Sequence, residues 1–499
     1  MKGMPQYLGV VVLACLGLSG CVFYLNPQCN DQIRNGDETD VDCGGGTCGL
    51  CNLGDSCRKD SDCDEGTCVG GTCTPLPCAN GKLDPGETDV DCGGDTCRRC
   101  SGGRQCLVGS DCASGDCVAG AQTCFALATV SFADTVSYPS GNKSYALLSG
   151  DLNGDGHVDL VAVNELASSL AVFLGNGTGT FQSMAQQATA YPTGAYPTGG
   201  AIADVDHDGI PDVITANYHG DSISVVLGVG SGKGTGALAA PVSYATTMDG
   251  ETSNLAVGDL NGDGNLDVIA ANPAAIVTKV ASVSQLMGRA DGTFEPAVTA
   301  PVGVPGHSQP FSVVMADFDG DGKKDVAIAD IYNGPIIVKL GNGDGTFQAE
   351  SLYPAGGAGA TFLLTYDMNL DGKLDLVCAN RNSGNVSVLI GRGDGTFRKP
   401  IVSNIGPKAT DAIGPYSIAV ADFNRDGVPD VVTPNSLVST ATVFLGVGDG
   451  SFEQAIEVVG VGDHPYGVAT GDFNGDGKPD VAISNALSND MTVKLSTSH

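Results

Sequence analysis

Positive charge is scarce in this 499-residue chain: 24 lysines and arginines stand against 57 aspartates and glutamates, giving a formal charge of −33. Such a surface repels polyphosphates, which excludes nucleic acid as a partner and argues against broad contact with anionic lipid. Histidine is also rare, with six copies, and none forms a His-Glu-x-x-His pair of metal ligands. No Gly-x-Ser-x-Gly elbow occurs either, so the familiar zinc-protease and serine-hydrolase signatures are missing. Tryptophan is absent, and aromatic residues make up only 6% of the chain. An apolar run from Leu8 to Leu18 is too short to span a bilayer and, behind Lys2, reads as a secretory signal over residues 1–20. What the chain has in quantity is glycine (73) and cysteine (19).

The dominant feature is repetition. Asp151-Leu-Asn-Gly-Asp-Gly-His-Val-Asp159 recurs at Asp204, Asp259, Asp317, Asp367, Asp422 and Asp472, at intervals of 53, 55, 58, 50, 55 and 50 residues. A period of that size marks a repeat architecture and not one globular enzyme domain. Positions 1, 3, 5, 7 and 9 are Asp151, Asn153, Asp155, His157 and Asp159 in the first copy. They are Asp204, Asp206, Asp208, Ile210 and Asp212 in the second, then Asp259, Asn261, Asp263, Asn265 and Asp267 in the third. The fourth has Asp317, Asp319, Asp321, Lys323 and Asp325, and the fifth has Asp367, Asn369, Asp371, Lys373 and Asp375. Asp422, Asn424, Asp426, Val428 and Asp430 form the sixth, and Asp472, Asn474, Asp476, Lys478 and Asp480 the seventh.

A hard cation such as calcium takes six to eight oxygens at about 2.3–2.6 Å, and a short loop supplies them only by curling around the ion. Position 6 is glycine in all seven copies, which permits the sharp turn. Position 7 varies freely, as expected if it contributes only its backbone carbonyl. The pattern predicts about seven structural calcium ions. The loops hold 23 carboxylates, and seven calcium ions would bring the formal charge to −19. In an EF-hand the loop leads into a helix; here position 9 leads straight into β-rich segments such as Val213-Ile-Thr-Ala and Val268-Ile-Ala-Ala.

Each repeat follows one plan of four short strands. The second strand ends at an Asn or Asp five residues past position 9: Asn164, Asn217, Asn272, Asp330, Asn380, Asn435 and Asn485. A Gly-Asp-Gly-Thr-Phe turn or a variant leads from the third strand to the fourth, as at Gly343–Phe347 and Gly393–Phe397. Four strands per 50 residues or so is the size of a propeller blade. The seventh repeat stops after its third strand, and its missing fourth stands ahead of the first repeat. There Phe132 to Gly141 shares the spacing Phe-x5-Tyr-Pro-x-Gly with Phe347 to Gly356. This predicts an all-β fold, a closed seven-bladed β-propeller over residues 125–499 with no open sheet edge at the seam.

Ahead of the ring lie two short cysteine-rich repeats, residues 29–77 and 78–124. Each carries eight cysteines, and Asp37 to Gly45 is echoed by Gly86 to Gly94. In an exported chain this reads as two small disulfide-rich modules with four bridges each, of which eight cysteines allow 105 pairings. Zinc or redox chemistry at Cys48-x-x-Cys51 and Cys97-x-x-Cys100 is the alternative. Leu18-Ser-Gly-Cys21 resembles the lipobox of bacterial lipoproteins. That resemblance implies a diacylated Cys21, a lipidated tether over residues 21–28, and export to the outer membrane and cell surface. The modules then serve as a stalk.

The Asp-x-Asp/Asn-x-Asp-Gly-x-x-Asp loops with Gly-Asp-Gly-Thr-Phe turns resemble the FG-GAP or VCBS-type repeats of integrin α-subunit propellers and of many bacterial surface proteins. The resemblance implies metal loops on one face and partners docking mainly on the other. On this chain the second face falls to the turns after Asn164 and its equivalents, and to the connections between blades. Candidate contacts there are Tyr218, His219, His307, Tyr332, Arg381 and His464. The function expected is a monomeric binding or adhesion module for a protein or glycan. A propeller-type polysaccharide lyase or glycosidase is the alternative, and a structural envelope component a third. No catalytic residues are assigned. Arg392-Gly-Asp394 is repeat drift, since Asn342-Gly-Asp344 holds the same slot. Cys378 aligns with Ala162 and Ala270, which predicts a buried free thiol. Gly228 to Thr235 imitates a phosphate-binding loop without its spacing.

Overall fold

A computed structural model describes residues 130–498 apart from 184–190, 231–233, 247–250, 274–280, 304–307, 333 and 407–412, and parts of residues 41–124. Cys21 and the signal segment lie outside the described residues. The chain divides into two compact units, Met1–Asp91 and Cys92–His499. Among the described residues no helix is long and apolar enough to cross a membrane.

In the first unit sulfur replaces a hydrocarbon core. Disulfides join Cys43 to Cys51, Cys57 to Cys68 and Cys63 to Cys73, and five of these cysteines are buried against one another. A hairpin of Thr67–Val69 and Thr72–Thr74 sets Cys68 opposite Cys73. So short a segment has too little apolar surface to hold itself together, and cross-links make up the difference. The start of the second unit repeats the device. Cys106 bonds Cys117, and a hairpin sets Cys117 opposite Cys124. The fifth and seventh cysteines therefore pair in both modules. Cys57, Cys63 and Cys73 lie close enough to look like a metal cluster, but all three sulfurs are in disulfides.

The rest of the second unit is seven antiparallel sheets, each led by a strand that lines a central axis. Those first strands are Ser144–Gly150, Pro197–Ala203, Asn254–Gly258, Pro310–Ala316, Ala360–Tyr366, Ala419–Ala421 and Pro465–Gly471. The second strands, from Asp159–Asn164 to Asp480–Asn485, are buried at every residue. Each is sandwiched between neighbouring blades, which is why they read as continuous apolar runs and not as an alternation. In five of the seven the terminal Asn pins the third strand, as Asn217 donates to Ser222 and Ser224, and Asn435 to Thr440 and Thr442.

Seven apolar clusters fill the seven seams between consecutive blades. The one joining the last blade to the first contains Leu147, Phe173, Phe473 and Met491. The ring is closed as expected, with Val136–Pro139 as the outer strand of the seventh blade, placing Tyr138 opposite Met491. Phe132 bridges Ser496 as Phe347 bridges Gly341 and Phe397 bridges Gly391. Cys378 is buried and unpaired, with its thiol pushed up to about 12 by desolvation. The phosphate-loop lookalike is part of a hairpin, Gly228–Gly230 with Gly234–Leu238.

Candidate functional site

Every nine-residue loop joins a first strand to a second, so all seven lie on one face of the ring. The fold of each loop follows from its carboxylates. Position 1 accepts from the backbone of position 6, as Asp317 Oδ2 does from Gly322 at 2.9 Å. Position 5 accepts from position 7, as Asp321 Oδ1 does from Lys323 at 2.9 Å. Position 6 has positive φ throughout, between +76° at Gly477 and +88° at Gly156. Position 4 is left-handed as well, which the sequence did not announce: four copies have glycine there, but His207, Leu370 and Arg425 adopt φ of 59°, 59° and 61°.

Position 9 differs in kind from the other ligand positions. In all seven copies one carboxylate oxygen accepts the position-2 amide and the other accepts an amide at the end of the third strand, 16 residues on in six copies and 21 residues on, at Gly288, in the third. That second donor is glycine in six copies. A Cβ at Gly341 or Gly391 would stand 2.1 Å from a loop carbonyl, so only glycine admits the approach. Burial raises these aspartates despite the two amides: Asp159, Asp212 and Asp480 to about 6, Asp375 to about 7 and Asp430 to about 8, with Asp267 and Asp325 also raised.

The donor set suits a hard cation. In the two copies with aspartate at position 3, one oxygen each from Asp204, Asp206 and Asp212, and from Asp317, Asp319 and Asp325, lie within 4.8 Å of one another. That span is about twice a calcium–oxygen distance. Asp206 and Asp319 are raised by burial first and neighbouring carboxylates next, the signature of crowded negative charge. Lys323 Nζ lies 2.6 Å from Asp321 and supplies part of the opposing charge in its loop. Ile210 and Val428 at position 7 are buried, so neither offers more than a carbonyl.

The loops are also joints. The Gly-Asp-Gly-Thr-Phe turn of one blade docks on the loop of the blade before it: Gly345 donates to Leu260, Gly395 to Phe318 and Gly179 to Phe473. Its phenylalanine packs on position 2 of that loop, as Phe397 on Phe318 and Phe181 on Phe473. Phe132 makes the same contact with Phe423 across the seam. Arg392-Gly-Asp394 is one such turn, with Asp394 accepting from Thr396.

The opposite face surrounds the other end of the axis. There one residue at the start of each blade points inward; it is the second residue of the first strand, on a β-bulge, in blades 1, 2, 4, 5 and 7, and it lies just ahead of the first strand in blades 3 and 6. Around the ring this residue is Tyr145, Thr198, Ser253, Phe311, Thr361, Tyr416 and Tyr466, and all seven line a cavity of about 400 Å³. The collar is lopsided. Its hydroxyls stitch blades together: Thr198 donates to Ser253 O, Ser253 to Phe311 O and Thr361 to Tyr416 O. Its aromatics gather, with ring centroids 4.4 Å apart for Tyr416–Tyr466 and 4.9 Å for Tyr145–Tyr466, and Tyr145 and Tyr416 share a hydroxyl–hydroxyl bond. Tyr145 and Tyr416 are hemmed in on all sides yet keep partial exposure because they border the cavity, and desolvation raises both phenols.

Of the contacts expected on this face, Tyr218 and His219 are neighbours at 4.9 Å, and His219 meets Tyr196 and faces Glu251 at 3.7 Å. Arg381 lies over the Tyr416 ring at 5.8 Å. Tyr332 is exposed. His464 pairs with Asp463 at 3.1 Å. His307 lies outside the described residues. The collar itself was missed as a site; its signal was the varying residue after Pro197, Pro310, Pro415 and Pro465 at the start of the first strands.

The sequence family described as FG-GAP-like repeat matches residues 151–215, 204–270, 277–328, 318–378, 367–433 and 435–483. No curated protein sequence matches. Among solved structures, the chain is similar to the BP39L lectin of Burkholderia pseudomallei, at 16% identity and TM-score 0.49 over 69% of this chain and 94% of that one. It is similar to an Agrocybe aegerita lectin that recognises non-reducing terminal N-acetylglucosamine, at 19% identity and TM-score 0.42 over 64% and 80%. It is also similar to virginiamycin B lyase of Staphylococcus aureus, at 10% identity and TM-score 0.47 over 74% and 99%. Likeness at this level carries no information on ligand or reaction.

Proposed function

The chain belongs to the FG-GAP-like repeat family, and on that premise we propose that it is a calcium-stabilised binding module that displays the face opposite its metal loops. The ion is calcium because all seven loops offer oxygen only and curl as a flexible, multidentate site requires. With a Kd near 0.1 mM, about 1 mM calcium adds roughly 1.4 kcal/mol per site, or on the order of 10 kcal/mol for seven. That matches a whole domain's net stability. The role is structural: the loops are the joints between blades, and their carboxylates are bound up in holding the turns.

The observation that carries the binding role is the contrast at equivalent positions. One face repeats its chemistry seven times; the other varies it at the collar and in the turns. Lys143, Tyr196 and His464 hold φ of 56°, 56° and 53° beside the collar, where Gly359 and Gly414 stand in other blades. Backbone strain at a rim that glycine would relieve is common at recognition sites. The setting is the cell surface of a bacterium, with Cys21 as lipid anchor, and the role is adhesion to a protein or glycan without turnover. The test is retention of the full chain on cells and immobilised glycans with calcium and with EGTA, beside product analysis of a polysaccharide panel. Calcium-dependent retention with no new chain ends supports the binder. Release of products would move the reading to a polysaccharide-degrading enzyme.

A further inference from the structure

Five described Asn-Gly pairs lie in the turns of the loop face. Asn153-Gly154, Asn261-Gly262 and Asn474-Gly475 stand at positions 3 and 4 of metal loops, and Asn176-Gly177 and Asn342-Gly343 in the turns that follow third strands. A glycine after asparagine leaves its backbone nitrogen open to attack on the asparagine side chain, because no Cβ stands in the way. Hydrogen bonds on the two nitrogens of the pair restrain that approach. Asn153 Nδ2 donates to Asp155 at 3.0 Å and Gly154 N to Asp151 at 2.7 Å. Asn261 and Gly262 make the same two bonds, to Asp263 and Asp259. Asn176 and Asn342 are tied through Nδ2 to Thr180 and Thr346. Asn474 is different: its side chain is held only by Oδ1, which accepts from Asp476 at 3.0 Å, and among the described residues neither its Nδ2 nor Gly475 N has a partner.

The fifth loop supplies a matched control. Asn369 is bonded as Asn474 is, with Oδ1 accepting from Asp371 and with Nδ2 and the next amide unpartnered among the described residues. The residue that follows is Leu370, held at φ 59°, where Gly475 sits at φ 73°. Leucine is disfavoured in that region and glycine is not. Its side chain crowds the nitrogen and hinders the attack that glycine permits.

We infer that Asn474 is a site of spontaneous deamidation, open whenever its loop is without an ion. Gly475 N attacks Asn474 Cγ, a C–N bond forms, and Nδ2 leaves as ammonia with the proton of Gly475. Water then opens the cyclic imide. Cleavage of the bond to Cγ leaves aspartate, and cleavage of the bond to the backbone carbonyl carbon leaves isoaspartate. The first product is a loop with aspartate at position 3, as at Asp206 and Asp319. The second routes the main chain through the side-chain methylene and lengthens the turn. This loop is the joint at which the ring closes: Phe473 O accepts from Gly179 at 2.8 Å, and Phe473 packs on Phe181 at 5.3 Å. The modification therefore ages the seam between the last blade and the first, whatever the opposite face binds.

The test incubates the full chain at mildly alkaline pH below its melting transition, in EGTA and in calcium, and locates each gain of about 1 Da by peptide mass. A urea-unfolded sample sets the rate that each sequence alone allows. In the folded, metal-free protein Asn474 should convert roughly tenfold faster than the other four asparagines, mainly to isoaspartate, and calcium should slow it. Gly475→Leu should stop conversion at Asn474, and Leu370→Gly should start it at Asn369. Protein aged in EGTA and returned to calcium should melt lower than Asn474→Asp, which reproduces only the aspartate product. Equal rates at the five pairs overturn the inference, as does an Asn474 that stays intact, an Asn369 that stays intact in Leu370→Gly, or conversion that calcium does not slow. An unchanged melting temperature after conversion overturns the ageing of the seam. If EGTA unfolds the chain outright, the same ranking is read at limiting calcium that keeps it folded, and equal rates there overturn the inference.

Discussion

On the loop face, one nine-residue turn is written seven times with carboxylates at positions 1, 5 and 9, the same left-handed fourth and sixth positions, and the same doubly bonded Asp at position 9. On the opposite face, the equivalent collar residue is tyrosine in three blades, phenylalanine in one, threonine in two and serine in one. The two faces come from the same repeats, so the difference cannot lie in what a blade needs in order to fold. Uniformity marks the work every blade must do for its neighbour. Diversity marks the work the ring does for something outside it.

The strongest way to break this contrast is to remove the metal. Excess EGTA should lower the melting temperature of the full chain by more than about 10 °C, as expected from the loss of on the order of 10 kcal/mol. A shift of only a few degrees would mean that the loops stand without an ion. Next in size, Asp375→Ala should cost about 3 kcal/mol, because it strands two buried amides that now reach Asp375. Tyr332→Ala, on the other face and 60% exposed, should stay within about 0.5 kcal/mol in the same thermal assay.

Acidity separates the faces differently. Without metal, burial holds Asp375 at about 7 and Asp430 at about 8, above the ordinary 3.8. The folded ring then binds more protons than the unfolded chain through that window, so its stability falls as pH rises from about 4 toward 8. Protein in EGTA should melt higher at pH 5.5 than at pH 8. With calcium the order should reverse, because protons compete with the ion for the same oxygens. Thermal scans at the two pH values decide it. The smallest effect is at position 4: Leu370→Gly should raise stability by about 1 kcal/mol, since leucine is held at φ 59° in an exposed turn. A drop instead would show that the leucine side chain does something the turn geometry does not reveal.

Much of this architecture could be read from residues alone. The nine-residue spacing declares the loops, and Phe132 to Gly141 declares the closing strand, because both are local patterns repeated in register. The Asn or Asp at the end of each second strand marked a boundary, but the hydrogen bonds that five of the Asn make to the third strand had to be seen. Gly341 and Gly391 were legible only as glycines near a turn; the carbonyl that excludes a Cβ comes from the loop behind them. The collar was hardest to read. Tyr145, Tyr416 and Tyr466 lie far apart in sequence and meet only because seven blades converge on one axis, and the bulge that turns Tyr145 and Tyr466 inward leaves no mark in composition.

The closing strand also sets the order of events when the ring is made. Val136–Pro139 is synthesised before any blade, yet its partner Asp490–Lys494 follows all the other strands of the ring. Six sheets can form as their own hairpins arrive, but the seventh waits for all the other blades, and the pairing of Tyr138 with Met491 is among the least local contacts in the ring. Until then the waiting strand and the open flank of the first blade are exposed. Pairing of the waiting strand with the last blade of another chain would give a domain-swapped misassembly, so a shortage of calcium during export should appear first as aggregates joined at this seam.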